Sequence, residues 1–186
     1  MRRMLLVVAT VCALGALATQ AQPWIVDQEQ ALENAYMAGF SQPDLAQSFM
    51  QAANNINGAD VKLQAGIGSG PGNITIELWN KLPNAGGVKL TEGTDVGVLP
   101  GEWAEPRWPV VNITPETTYY LVFKSTNSSL GLAGHTGNPY PRGNVFANAG
   151  YQPFPNFDYT FRTYRIPEPA TLSLLALSGL VVFRRR

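Results

Sequence analysis

Residues 61–79 read VKLQAGIGSGPGNITIELW, and this stretch decides the fold class. Val61, Leu63, Ala65 and Ile67 alternate with Lys62, Gln64 and Gly66, while Ile74, Ile76 and Leu78 alternate with Thr75, Glu77 and Trp79. An apolar residue at every second position suits an extended chain, whose side chains point to opposite faces in turn. Between the two runs, GIGSGPGN is turn chemistry, because glycine accepts positive φ and Pro71 stops any helix.

The same signals recur outward from this point. Thr118 to Phe123 (TYYLVF) has no polar face and reads as a central strand, and Asp158 to Tyr164 (DYTFRTY) alternates and reads as the last one. Shorter candidates lie at Leu45 to Met50, Val88 to Thr91, Val110 to Ile113 and Asn144 to Ala147. About eight short strands separated by Gly, Pro and Asn predict an all-β fold, an antiparallel, jelly-roll-like β-sandwich. One segment departs from this pattern. Asp27-Gln28-Glu29-Gln30 resembles a helix capping box, with Leu32, Ala35, Tyr36 and Phe40 near helical spacing, so a short helix is expected before the strands begin.

The two ends have a different composition. Met1-Arg2-Arg3, an apolar run from Met4 to Leu17 and the small-residue pattern Ala16-Leu17-Ala18 read as a secretory signal over residues 1–21, cut after Ala18 or alternatively after Ala21. The single cysteine, Cys12, lies inside it, so the mature chain would carry no disulfide, thiolate metal site or Cys nucleophile. At the other end, Ala170 to Phe183 are uncharged and precede Arg184, Arg185 and Arg186. As a helix this run would reach roughly 21 Å, short of a hydrocarbon core of about 30 Å. The arginine stems extend the usable length at one end, and their charge favours the cytoplasmic side. Pro167 and Pro169 display Glu168 on a stiff, extended segment that suits recognition by a protease-like enzyme.

Pro167-Glu168-Pro169-Ala170-Thr171-Leu172, the apolar run and the terminal arginines together resemble the PEP-CTERM sorting tail of exported bacterial proteins, here residues 167–186. The resemblance implies handling by an exosortase, a membrane enzyme acting at or near the Pro-Glu-Pro motif, typically in bacteria that make exopolysaccharide. It also implies a location at the cell surface or in the extracellular matrix, with the C-terminal helix in the membrane before processing. A second resemblance covers residues 45–164. Ala46-Gln47-Ser48-Phe49, Ile56-Asn57-Gly58-Ala59-Asp60-Val61, Thr75 to Trp79, Pro115 to Val122 and Asp158 to Tyr164 are similar to jelly-roll domains of bacterial surface proteins, whose architecture is like that of carbohydrate-binding modules.

The domain between the ends, residues 22–166, holds eight Lys and Arg against twelve Asp and Glu, a net charge of −4. With no basic patch, nucleic acid is not an expected partner. Its only histidine, His135, sits in a Gly-His-Thr-Gly stretch that reads as a surface loop, and no Gly-x-Ser-x-Gly elbow accompanies it. Glu102 and Glu105 flank Trp103, an arrangement a glycoside hydrolase could use, but their stretch reads as a solvated loop. No cofactor is expected; a structural calcium is open to Asp27, Glu29, Asp95 or Asp158, although no calcium-loop spacing is present. The expected role is therefore non-catalytic. Trp103, Trp108, Tyr140, Tyr151, Phe154 and Phe157 fall in segments marked as loops by Pro and Gly, where binding residues concentrate. Such rings either close the ends of the fold or stack on a sugar of an exopolysaccharide or other glycan, and both readings stand. A purely structural biofilm matrix protein is the alternative.

Overall fold

The computed structural model describes residues 24–167. Among them are fourteen strands and one turn of 3-10 helix at Pro83–Ala85, and every strand pairing is antiparallel. The fold class is thus all-β, as the alternation predicts. A five-stranded sheet contains β1 (Ile25–Gln30), β14 (Phe161–Arg165), β4 (Asn55–Lys62), β7 (Trp103–Ala104) and β8 (Arg107–Asn112). A six-stranded sheet runs in the order β12 (Gln152–Phe154), β11 (Val145–Ala147), β3 (Leu45–Met50), β9 (Thr118–Ser125), β5 (Gly72–Trp79) and β6 (Lys89–Val98). Three further strands, β13 (Phe157–Tyr159), β10 (Gly131–Thr136) and β2 (Ala35–Gly39), form a small sheet.

The opening stretch does not fold as one hairpin. Its second run is β5, with Ile74, Ile76 and Leu78 fully buried. Its first run ends as a strand at Lys62; Leu63 makes only an isolated bridge to Leu132, and the chain turns at Gly66, Gly68 and Gly70, all at positive φ. The glycines carry the chain from the five-stranded to the six-stranded sheet. Ala59, Val61 and Phe161 from the first then share one apolar cluster with Leu45, Phe49, Ile76 and Leu121 from the second. The TYYLVF run is a central strand, β9, between β3 and β5.

Three expectations are corrected. Residues 27–40 contain strands β1 and β2 rather than a helix. Pairing with β14 and β10 overrides the local capping signal, and the Asp27 carboxylate accepts the N–H groups of Ala52 and Ala53 at 2.8 and 3.1 Å. Gly134, His135 and Thr136 of the GHTG stretch end strand β10 rather than forming a loop, and only Gly137 lies in the turn that follows. The strand count exceeds eight because bulges and sheet changes divide the runs: DYTFRTY splits at Thr160 into β13 and β14, which pair in different sheets. The expected signal and tail helices lie outside the described residues.

Phe161 is fully buried, with its ring edge-on to Tyr140 at 5.1 Å between centroids. Because it sits where β14 leaves β13, Phe161→Ala is expected to lower stability by about 3–5 kcal/mol, the range for truncating a buried aromatic. Urea denaturation of the two forms checks this.

Candidate functional site

Beside the small sheet lies a cleft of about 280 Å³. Its base is Tyr159, its aromatic wall is Phe154 and Phe157, and Gln42, Thr136 and Asn148 bring polar groups to it. The two phenylalanine rings stand 6.4 Å apart at 47°. A four-residue segment, Phe154-Pro155-Asn156-Phe157, sets them there: Phe154 ends β12, Phe157 begins β13, and the Asn156 carbonyl accepts Gly137 N–H at 2.8 Å. The aromatic-Pro-Asn-aromatic spacing was the readable signal for this pair. Tyr36, also a lining residue, was hidden by the expected helix. Gln42 and Asn148 are exposed, and neither carboxamide has a hydrogen-bond partner among the described residues. Thr136 receives the Asn34 amide on its hydroxyl oxygen at 3.2 Å.

Of the six loop aromatics, Trp103, Trp108, Tyr140 and Tyr151, the four expected as glycan-binding residues, have different places. Trp108 and Tyr140 belong to the core, at 6% and 7% exposure, so they present no face to a ligand. Tyr140 is drawn inward because its hydroxyl donates to Gln28 Oε1 at 2.9 Å and its backbone N–H to Asp158 Oδ2 at 2.8 Å. Gly143 makes this approach feasible, since a Cβ there would fall 1.9 Å from the Ser48 carbonyl. Trp103 is half-buried on β7, with the Arg162 guanidinium 4.2 Å and the Lys62 ammonium 5.7 Å from its ring centroid. Tyr151 sits in the β11–β12 turn at φ 54°, half-buried, where burial and then the nearby Asp44 and Glu77 charges push its hydroxyl pKa up to about 12. None of the four lines the cleft.

The other sequence candidates do not converge. Glu102 and Glu105 are exposed beside Trp103, with Glu102 Oε2 closing its own turn on Leu99 N–H at 2.9 Å. Asp27, Glu29, Asp95 and Asp158 each have separate partners, and among the described residues no three of His, Cys, Asp and Glu gather as a metal site. Of the sorting motif only Pro167 is described. Just before it, Asn55 holds Ile166 from both sides, accepting its N–H at 2.9 Å and donating to its carbonyl at 3.1 Å. Glu168, Pro169, Arg184, Arg185, Arg186 and the Ala18 and Ala21 sites lie outside the described residues.

Two acids, Asp60 and Asp158, are fully buried. Asp60 on β4 faces Arg107 Nη1 at 2.6 Å and accepts the Tyr164 hydroxyl, yet burial outweighs these contacts and raises its pKa. Gly58 leaves the space that the Arg107 stem occupies, and Arg107 in turn stacks 4.7 Å from Trp24 and 4.2 Å from Tyr164. Asp158, directly behind the cleft, accepts Gln47 Nε2 at 3.0 Å and Tyr140 N–H at 2.8 Å. Burial still dominates over these bonds and over His135, its partner across the strands, and pushes the Asp158 pKa from 3.8 up to about 6. Tyr159 is likewise raised, by burial.

Comparison with family models, with curated proteins and with solved structures finds no match to this chain.

A carboxyl raised on folding favours the folded state while both states are protonated and ceases to do so as the folded group ionises. The Asp158 contribution is therefore fully present below about pH 4 and lost as pH rises through about 6. Two pH units correspond to roughly 3 kcal/mol. Asp158→Asn is expected to flatten this slope between pH 4 and 7, as denaturation midpoints measured across that range would show.

Proposed function

We propose that this is an exported, non-catalytic protein of the bacterial cell surface or extracellular matrix, a jelly-roll-like β-sandwich that binds a glycan in the Phe154/Phe157 cleft. An exosortase-type membrane enzyme would process its C-terminal tail. The cleft carries the reading. It pairs two phenylalanine rings with two uncommitted carboxamides, and ligand sites are commonly concave and apolar with a few placed polar groups. An aromatic ring offers an apolar surface to the C–H face of a pyranose, while carboxamides both donate to and accept from its hydroxyls.

The chain ends support the address. Ile25 pairs with Arg165 on adjacent strands, so the segments preceding and following the domain join it side by side.

A second reading, self-associating matrix protein, is favoured by one observation. Strand β6 ends the six-stranded sheet over ten residues, with Val96 at 73% exposure near one end and exposed Val88 just before the other. A long edge strand offers unpaired backbone N–H and C=O groups to other chains.

Phe157→Ala is expected to reduce retention on the producer's exopolysaccharide at least ten-fold in affinity electrophoresis, without changing oligomeric state. Val96→Lys is expected to leave retention intact. If the wild-type protein is not retained on any glycan but sediments as an oligomer that Val96→Lys disperses, the structural reading replaces the binding one.

A further inference from the structure

We infer, resting on the glycan-binding reading above, that the cleft selects uncharged sugar units and rejects uronic acids. None of its lining residues is charged, and its polar side chains outside the core are those of Gln42, Asn148, Thr136 and Tyr36. These satisfy hydroxyl or acetamido groups. They supply no cation for a carboxylate, and a charge taken into such a cleft without a counterion loses hydration that nothing replaces.

The four arginines among the described residues are paired with acids that do not line the cleft. Arg107 faces Asp60, Arg142 faces Glu116, Arg162 faces Glu29 and Arg165 faces Asp27. Across the strands from His135, Asp158 lies buried between Phe157 and Tyr159 and is hydrogen-bonded to Gln47 and Tyr140. Its negative charge opposes a second carboxylate. The domain as a whole is acidic, with eight Lys and Arg against twelve Asp and Glu over residues 22–166, so the long-range field also disfavours polyanions. Size argues in the same direction: about 280 Å³ is at the small end for ligand pockets and leaves little room for a carboxylate to keep its water.

Calorimetric titration of the full-length protein with cellohexaose, chitohexaose and hexagalacturonate tests the inference. At least one neutral hexamer is expected to bind at least ten-fold more tightly than hexagalacturonate. Gln42→Lys, a change at an exposed position, is expected to raise hexagalacturonate affinity about ten-fold by supplying the missing cation. Equal or tighter wild-type binding of hexagalacturonate, lost on Phe157→Ala, would overturn the charge selection and leave the glycan-binding reading standing. Binding of none of the three, together with no retention on the producer's exopolysaccharide, would overturn both.

Discussion

One buried hydrogen-bond chain ties the three sheets together. Gln47, on β3 of the six-stranded sheet, donates to Asp158 on β13 and accepts the Tyr159 N–H at 3.0 Å. Asp158 accepts from Tyr140, and the Tyr140 hydroxyl donates to Gln28 on β1 of the five-stranded sheet. Gln47 and Asp158 are fully buried, so water cannot replace a lost partner, and each broken link would leave a polar group unsatisfied. Apolar packing alone tolerates small shifts between sheets. A chain of directed bonds does not, and it fixes one relative placement.

The cleft inherits its shape from this placement. Phe157 and Tyr159 flank Asp158 in β13, so the bonds that pin the carboxylate also pin the aromatic wall and base. On the five-stranded sheet, a different device covers a buried acid: Asp60 lies beneath Arg107, which is itself held between Trp24 and Tyr164. Arg162 continues that layer onto Trp103. The layer explains why an acid and aromatic side chains coexist there without forming an open binding face. Removing one partner of such a buried pair typically costs more than the pair contributes, because the remaining charge stays inside.

The strand pattern was legible wherever one face is apolar. Ile74, Ile76 and Leu78 alternate in sequence and are buried in the structure, and Leu45 to Met50 coincides with β3. It was illegible where partners are polar and distant. Gln28 and Gln30 on β1 are buried through contacts to Thr163, Tyr140 and Tyr159, 112 to 135 residues away, and nothing local distinguishes them from a capped helix. The same limit applies to the site. Loop composition marked Tyr140 and Phe157 alike, but Tyr140 has a buried acceptor for its hydroxyl and turns inward, whereas Phe157 has none and remains at the cleft. Sequence reveals which aromatics lie near turns; only the tertiary acceptor decides their direction.

The controlling claim is that side-chain acceptors, rather than the strand ladder, lock the junction of the sheets. Native-state hydrogen exchange at the Tyr140 and Tyr159 amides tests it most directly, since these two N–H groups donate to Asp158 and Gln47 side chains. Both amides should exchange only through global unfolding, with protection equal to that of central-strand amides such as Leu121. Exchange of either one at the rate of the exposed turn amides, while Leu121 stays protected, would contradict the account.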